Sequence, residues 1–447
     1  MSAPAPLPGV ETGDIQGNVL HGYGRRLPCA RYVSIRIPDP DAGRRLLTAL
    51  LPRVTNAHHW RDAPPARALN IAVSHLGLAK LGVPAALSER FPPEFVAGME
   101  ARAQRLGDCG KGAPEKWDKK LRAIELLAIV HGADAEQAER EHAQLVQDAT
   151  AAGVTLERPL EAEQLPGQRE HFGFKDGLGQ PAIALAPSAN DAGQGVRGRF
   201  GRERALALGE FVHGYRDEDD VFGAAPPPPF SRNGTFMVLR KLRQDVDGFT
   251  KLVEDLADHH FNGDRELAGA KIAGRWKDGT PLILRPHANE PASALEPAKL
   301  NDFRYAGDPH GYKCPIGAHI RRANPRDSLF DGDLRTRRHR IIRRGMPYTE
   351  RNERGLVFVC FNASIARQFE VVNGWLRDGA TFGLGRDADV MTGNNNGDAS
   401  GKVTFQGDVP VLASVPSPLV WARGGEYLFL PSLSALDVLA HGRLGAP

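Results

Sequence analysis

Apolar side chains along the chain fall into short runs typical of β-strands, and longer stretches with helical spacing follow them. The segment ARYVSIRIPDP is rich in β-branched and aromatic residues and predicts a strand, whereas the following AGRRLLTALLP repeats leucine at helical spacing. The second half contains the same pair of patterns, in GTFMVLRKL and QDVDGFTKLVEDLADHH. The chain therefore predicts two halves built from similar elements.

The similarity between the halves continues along the chain. ALNIAVSHLGLAKLGV predicts a buried strand running into a helix, and GLVFVCFNASIARQFEVVNGWL predicts the same in the second half. Each half then ends in an apolar strand, AIELLAIVHG or GEYLFLPSL. We interpret each half as a split βαβ, or ferredoxin-like, arrangement. The predicted fold class is α+β, with two ferredoxin-like domains whose antiparallel sheets are faced by peripheral helices, like a dimeric α+β barrel.

The boundary between the two predicted domains lies at the segment APPPPFSRNG. Pro226 to Pro229 can neither join a sheet ladder nor continue a helix, so we expect domains at 1–225 and 226–447. Two long irregular stretches, 160–230 and 277–345, are dense in Gly, Pro, Asp and Arg. Loops of that length in a compact protein are usually functional or disordered.

Composition narrows the possible function classes. The 447 residues are enough for two or three domains that enclose a large cofactor. The formal net charge of +3 gives no general attraction to nucleic acid or to an anionic membrane. The first 18 residues show no export-signal pattern, and the four cysteines have no C-x-x-C spacing. We therefore expect a cytoplasmic protein with reduced thiols.

The segment EHFGFKDGLGQPAI contains the first chemically informative residue, Asp176. An Asp-Gly pair is frequent in tight turns, and this structural reading stays open. In the functional reading, the glycines let the backbone approach a ligand, while Phe172 and Phe174 exclude water around Asp176. Such an environment suits a carboxyl group that transfers protons.

A single histidine, His319, stands in KCPIGAHIRRANPRD. A lone histidine is often only a structural hydrogen-bonding residue. Because no second His or Cys lies at zinc-like spacing, a metal bound here would have His319 as its one protein ligand, which points to haem. Arg321 and Arg322 would then be placed to neutralise the haem propionates.

The arginine-rich segment RTRRHRIIRRGMPY invites a nucleic-acid interpretation, which the absence of lysine and the interrupting Ile341 and Ile342 disfavour. Arg343 ends a short apolar strand and is better placed to point into a site. In GLVFVCF, strand alternation puts Leu356 and Phe358 on one face, where they form an apolar wall of the same site.

In combination, GFKDG, CPIGAHIRRANPRD, RRHRIIRRGMPY and GLVFVCFNASIARQFE closely resemble the dye-decolorizing peroxidase family. DIQGNVLHGY and GGEYLFLPSLSAL match further segments of that family, so the resemblance extends from about residue 14 to 435. It implies a haem b peroxidase of two ferredoxin-like domains, with the haem mainly against the C-terminal domain.

The resemblance also implies roles for individual residues. His319 matches the proximal haem ligand and Asp176 the distal acid. Arg343 matches the distal arginine, although Arg340 and Arg344 are close by; Leu356 and Phe358 match the apolar pair of the distal pocket. A late acidic residue accepts the second N–H of the ligating imidazole, and Asp389 is the closest match, with Asp387 as its rival.

The activity implied by the resemblance is that of a haem-dependent peroxidase. Hydrogen peroxide forms a ferryl haem with a porphyrin radical, which oxidises dyes, phenols or similar small or bulky aromatic reductants one electron at a time. An aspartate in place of a distal histidine implies an acidic optimum. For bulky dyes, Trp375 and Tyr348 are candidate surface oxidation sites, although core or surface packing is their simpler explanation.

Two other functions compete with this one. A haem carrier or iron-releasing protein on the same fold would need His319 but not Asp176. A basic RNA-binding protein would use the arginine-rich segment and would bind no haem. The sequence favours the enzyme, with no nucleic-acid or membrane partner, and leaves the oligomeric state and the natural reductant open.

Overall fold

The protein is described from a computed structural model. The structure describes residues 9–24, 26–58, 65–185, 205–287, 297–330, 332–385, 387–393, 401–407, 409–415 and 418–444. The strands are β1 (Cys29–Arg36), β2 (Arg67–Val73), β3 (Leu126–Gly132), β4 (Thr155–Leu156), β5 (Leu160–Glu163), β6 (Thr235–Gln244), β7 (Ile342–Arg343), β8 (Met346–Glu350), β9 (Glu353–Asn362), β10 (Gly401–Phe405), β11 (Val411–Val415) and β12 (Val420–Leu430).

The α-helices lie mainly between these strands and begin where short polar side chains cap them. Asp245, for example, accepts the N–H of Gly248 at the start of α8. The helices are α1 (Gly17–Leu20), α2 (Pro40–Leu50), α3 (His75–Lys80), α4 (Ala85–Ser88), α5 (Pro93–Ala101), α6 (Ala103–Leu106), α7 (Ala135–Ala152), α8 (Val246–His260), α9 (Arg265–Ala273), α10 (His319–Ala323), α11 (Asp333–Arg337), α12 (Glu370–Arg377) and α13 (Leu433–His441).

Within the described residues, ten strands form one antiparallel sheet, and β10 and β11 form a separate hairpin. The order in the large sheet is β4-β1-β3-β2-β12-β6-β9-β7, with β5 also on β1 and β8 also on β9. The first half has the order β4-β1-β3-β2 and the second half the order β12-β6-β9-β7. In both halves the last strand lies beside the first, and the third strand lies between the first and the second. The shared order confirms the α+β class and is consistent with two ferredoxin-like units.

The structure refines how the halves correspond. Sheet position equates β9 with β3 and the short β7 and β8 with β2, so GLVFVCF is the counterpart of AIELLAIVHG rather than of ALNIAV. The two half-sheets meet at β2 and β12, where Phe429 pairs with Val73. Two large apolar clusters cover the two faces of the continuous sheet and draw residues from both halves.

The segment with Asp176 packs on the second half, although it precedes the predicted boundary at 225/226. Phe172 stacks on Phe249 of α8 with ring centroids 4.3 Å apart, and the N–H of Lys175 donates to the carbonyl of Lys277 at 3.0 Å. The division into 1–225 and 226–447 stays a prediction. None of the helices in the described parts of the chain is long and apolar enough to cross a membrane.

Candidate active site

A cleft of about 1940 Å³, counted to its open mouth, lies against the sheet of the second half. Alternate residues of neighbouring strands form one wall, because side chains two apart share a face of a strand. In β6 and β9 these are Arg240 opposite Phe358 and Leu242 opposite Leu356. The other wall comes from α10, α12 and the loop after α12. Leu356 and Phe358 thus both line the cleft, and their contact with a cofactor stays a prediction.

His319 is the first residue of α10 and borders this cleft. Its Nδ1 lies 3.2 Å from each carboxylate oxygen of Asp389, and a carboxylate only accepts, so Nδ1 carries the hydrogen. Nε2 makes no hydrogen bond within the described residues. Burial disfavours the charged imidazole, but the Asp389 carboxylate outweighs it and raises the pKa of His319.

Asp389 is fixed by the turn that follows it. Its Oδ1 accepts the backbone N–H of Thr392 at 2.6 Å and the Thr392 hydroxyl at 2.8 Å. Although burial opposes ionisation, the His319 imidazole and these donors lower the pKa of Asp389. Asp387 instead uses its backbone carbonyl to accept from Arg322 at 2.8 Å. Of the two acidic residues left open by the sequence, Asp389 is the one that contacts His319.

Asp176 and Arg343 lie together at another part of the cleft. Both also border a second cavity that extends toward β1 and β3 of the first half. Asp176 accepts the N–H of Gly177 at 2.6 Å, and its own N–H donates to the Gln168 carbonyl at 2.8 Å. The Arg343 guanidinium makes no hydrogen bond or ion pair with any described residue. The Asp176 carboxyl group and a guanidinium without a partner among the described residues thus border the same cavity.

The neighbouring arginines have different surroundings. Arg344 is partly buried and donates to the backbone carbonyls of Asn18, Val19 and His21, and desolvation lowers its pKa to about 9. Arg340 borders the cleft but not the second cavity, which extends toward β1 and β3. Among these three arginines, Arg343 alone borders both spaces.

The structure corrects the proposed role of Arg321 and Arg322 as propionate partners. Arg321 donates to the Asp308 carboxylate at 3.1 Å and to the Cys314 carbonyl at 2.7 Å, and it stacks on Tyr305. Arg322 donates to the Trp375 carbonyl at 3.0 Å. Both are buried and neither borders the cleft. Their hydrogen bonds hold the loops around α10 in place.

Besides Arg343, four arginines border the cleft: Arg240, Arg275, Arg326 and Arg340. Arg240 is paired with Asp108, and Arg275 donates to the Leu300 carbonyl and the Asn301 side chain. Arg326 and Arg340 also border a smaller cavity, which Arg304 and Arg337 line as well. Arg326 donates to the carbonyl of Asn301 at 3.0 Å and lies 3.9 Å over the Phe303 ring. Both cations therefore border the space that a ligand in the cleft would fill. The Asn-Pro-Arg turn after α10 is the sequence signal for Arg326, whereas adjacency to His319 favoured Arg321 and Arg322.

The proposed surface oxidation sites are also corrected, because both are buried. Tyr348 is 1% exposed, and its hydroxyl donates to Glu353 at 2.6 Å. Trp375 is 7% exposed and packs edge-on against His339, with ring centroids 5.1 Å apart. Neither side chain forms the surface platform on which a bulky reductant would rest.

The residues fit a flat macrocycle that brings its own metal ligands. Among the described residues, no group of three or more His, Cys, Asp or Glu side chains could hold a metal ion. A single imidazole instead faces a large cleft with Nε2 open and Nδ1 held by a carboxylate, which is how haem iron receives a protein ligand.

Comparisons with known proteins agree with this site. The model described as "DyP dimeric alpha+beta barrel domain" matches residues 14–158, and "Dyp-type peroxidase, C-terminal" matches 215–386. The chain is 31% identical over 431 residues to the multifunctional dye peroxidase DyP2 of an Amycolatopsis species, covering 86% of this chain and 84% of the relative. It is 29% identical to dye-decolorizing peroxidase msp1 of Mycetinis scorodonius, covering 96% and 87%.

Solved structures of dye-decolorizing peroxidases have a similar fold. An ancestral D-type dye-decolorizing peroxidase superposes with a TM-score of 0.80 at 29% identity, covering 97% of this chain and 99% of that one. A variant of the Auricularia auricula-judae enzyme superposes with a TM-score of 0.81 at 27% identity, covering 98% and 100%. A partial match, 25% identical over 45% of this chain, is to a deferrochelatase of Yersinia pestis.

Proposed function

Since the chain belongs to the dye-decolorizing peroxidase family, we propose that its haem cofactor is haem b, bound in the cleft through His319 Nε2. The enzyme is a peroxidase that uses peroxide to oxidise aromatic reductants. Haem supplies the redox chemistry of peroxide reduction, and the chain supplies the proton transfer and the electrostatics. Arg326 and Arg340 are the cations that we assign to the propionate carboxylates in place of Arg321.

Asp389 is proposed to keep the Nδ1 hydrogen on His319. A carboxylate that accepts from Nδ1 fixes the tautomer in which Nε2 has its lone pair free for a metal. The two Thr392 donors hold the carboxylate in turn. The pair therefore orients the ligand and increases its electron donation.

Asp176 is proposed to move the proton that peroxide cleavage requires. Its carboxylate takes the proton from one peroxide oxygen and returns it to the other, which leaves as water. The uncommitted Arg343 guanidinium stabilises the negative charge that develops on the leaving oxygen. Leu356 and Phe358 keep this part of the cleft apolar, which strengthens both interactions.

The strongest support for this proposal is that His319, Asp176 and Arg343 all border one cleft. His319 Nε2 faces the same cleft as Asp176 and Arg343, and both charged groups are close enough to influence the His319 pKa. An absorption spectrum of the haem-supplied protein, before and after one equivalent of peroxide, tests it. We expect a Soret band that shifts with peroxide and is restored by a phenol, and that is absent from His319→Ala. A wild-type protein without a Soret band would overturn the proposal.

A haem carrier or iron-releasing protein is the second candidate, and the partial match to deferrochelatases is the observation in its favour. The Asp176→Ala variant separates the two functions. We expect it to retain haem while peroxide turnover falls by roughly 100- to 10,000-fold, the usual contribution of a general acid–base. A wild-type Soret band that peroxide only bleaches would favour the carrier.

A further inference from the structure

The cleft has a second carboxyl group, Glu170, in the segment that leads to Asp176. Its Oε2 accepts the backbone N–H of Phe172 and its Oε1 that of Phe174, both at 2.9 Å. The Glu170 backbone binds the same loop, because its N–H donates to the Phe174 carbonyl at 3.0 Å and its carbonyl accepts from Gly173 at 2.8 Å. Glu170 thus closes this loop with both its side chain and its backbone.

The closed loop is the tip of a short hairpin that ends at Asp176. Arg169 and Lys175 form an antiparallel bridge across it, and the N–H of Asp176 donates to the Gln168 carbonyl at 2.8 Å. Because the two arms are joined by these hydrogen bonds, a displacement of the tip would be transmitted to the backbone of Asp176. The hydrogen bonds of Glu170 therefore bear on where Asp176 lies.

Glu170 also attaches the hairpin to the sheet of the second half. The side-chain amide of Gln244 in β6 donates to Glu170 Oε2 at 2.6 Å. Gln244 is buried, pairs with Val420 of β12 and borders the cleft. Hydrogen bonds to an ionised carboxylate are about twice as strong as those between neutral groups. One carboxylate therefore connects the loop before Asp176 with the cleft wall.

The two carboxyl groups of the cleft are held differently. Desolvation raises the pKa of Glu170, and the charge of Asp176 adds to this, although the donors at Phe172, Gln244 and Phe174 oppose both. Three donors thus hold Glu170 in place. Among the described residues, the Asp176 carboxylate itself accepts only the N–H of Gly177. The hairpin fixes the backbone of Asp176 and leaves its carboxylate with capacity for a proton.

We propose that Glu170 is a positioning residue for the proton transfer assigned to Asp176. Its carboxylate locks the loop onto the cleft wall, so that the Asp176 backbone keeps its place while the Asp176 carboxyl group takes up and returns a proton. The inference rests on the proposed peroxidase function, which gives Asp176 a proton to move.

Hydrogen–deuterium exchange of the haem-supplied protein, read at single residues by electron-transfer fragmentation, tests this link without using activity. We expect the N–H groups of Phe172 and Phe174 to exchange about tenfold faster in Glu170→Ala. The N–H of Asp176 should also exchange faster, because the hairpin loses its tip. Wild-type exchange at Asp176 in this variant would overturn the proposal, whatever happens at the two phenylalanines.

Two further variants sharpen the exchange experiment. Glu170→Gln keeps the side-chain length and one acceptor oxygen, so its exchange rates should lie between those of Glu170→Ala and the wild type, and it carries the test if the alanine variant does not fold. Glu163→Gln is the matched control, because Glu163 is an exposed glutamate of β5 that does not border the cleft. It should exchange like the wild type at all three N–H groups.

Kinetics separate a positioning role from a general structural one. Stopped-flow mixing with peroxide should give a second-order rate constant about 10- to 100-fold lower in Glu170→Ala, as misplacing a reacting group by about 1 Å predicts. The kcat/KM for 2,6-dimethoxyphenol at saturating peroxide should stay within about twofold of wild type, because that step does not use the proton transfer. An equal fall in both constants, or an unchanged peroxide rate constant, overturns this inference alone, whereas a wild-type protein that does not react with peroxide overturns the proposed function.

Discussion

The backbone N–H of Arg343 donates to Oε1 of Gln180 at 2.9 Å. Gln180 lies four residues after Asp176, and both side chains border the cavity that extends toward the first half. Strand β7 contains two residues and pairs with β9 at Phe361 and Cys360, and this side-chain contact adds to that short ladder in holding Arg343. The loop that carries the acid therefore also positions the cation.

Replacing Gln180 by Met tests this coupling. Met is similar in size, but its thioether sulfur is only a weak acceptor, so Arg343 should lose most of one hydrogen bond of positional stability. We expect fluoride binding to the ferric protein, which depends on the distal cation, to weaken about fivefold. Gln164→Met is the control, because Gln164 borders the same cavity without contacting Arg343. Equal effects of the two substitutions would show that the cavity, and not the contact, is responsible.

Adjacent arginines should respond differently to substitution. Arg343→Ala removes a guanidinium with no partner among the described residues, so thermal stability should change little while the reaction with peroxide slows roughly 100- to 1,000-fold. Arg344→Ala leaves the carbonyls of Asn18, Val19 and His21 without their partly buried donor and should cost about 3 kcal/mol of unfolding free energy. Stopped-flow mixing with peroxide and urea unfolding of both variants measure these effects. A stability loss in Arg343→Ala comparable to that in Arg344→Ala would contradict the assignment.

The repeated elements were visible in the sequence because local pattern determines them. β6, α8, β9 and β12 follow from apolar spacing alone. The joining of the half-sheets at Phe429 and Val73 was not predictable, since a pairing across the whole chain leaves no local pattern. The cytoplasmic location and the acidic optimum stay predictions.

Site residues that lie in a recognisable sequence motif could be predicted. Residues whose role depends on contacts with segments distant in the chain could not. The motifs brought four residues to one cleft, and their roles there stay predictions: His319, Asp176, Leu356 and Phe358. Arg321 was misassigned because adjacency to a ligand says nothing about which way a buried side chain turns; Asp308 and Cys314 take its donors. Gln180 lacked any charge or pattern that would have marked it.

The Asp389–His319 contact predicts weaker cofactor retention when the carboxylate is lost. Asp389→Ala leaves the Nδ1 hydrogen and both Thr392 donors without an acceptor, so haem transfer to apomyoglobin should be roughly 10- to 100-fold faster. Asp387→Ala is the matched control, because its carboxylate does not contact His319. Asp389→Asn should lie between the two, since its amide oxygen can still accept one hydrogen. Faster release from Asp387→Ala than from Asp389→Ala would reverse the assignment of the two residues.

The buried carboxyl group of Glu426 should lower the free energy of unfolding as the pH rises from acidic to neutral. Burial raises its pKa to about 7, although the N–H groups of Met99 and Tyr427 donate to it at 2.8 and 2.9 Å. A carboxyl whose folded pKa is raised binds its proton more tightly in the native state, so its contribution is full below the unfolded pKa of about 4.3 and is lost as pH rises toward 7. The unfolding free energy measured in urea should therefore fall by about 1–3 kcal/mol between pH 4.5 and 7.5 from this group. Glu426→Gln keeps an acceptor for both N–H groups without the charge and should flatten that slope, whereas Glu136→Gln on an exposed face of α7 should not. A slope equal to that of the wild type in Glu426→Gln would show that other groups govern the pH dependence.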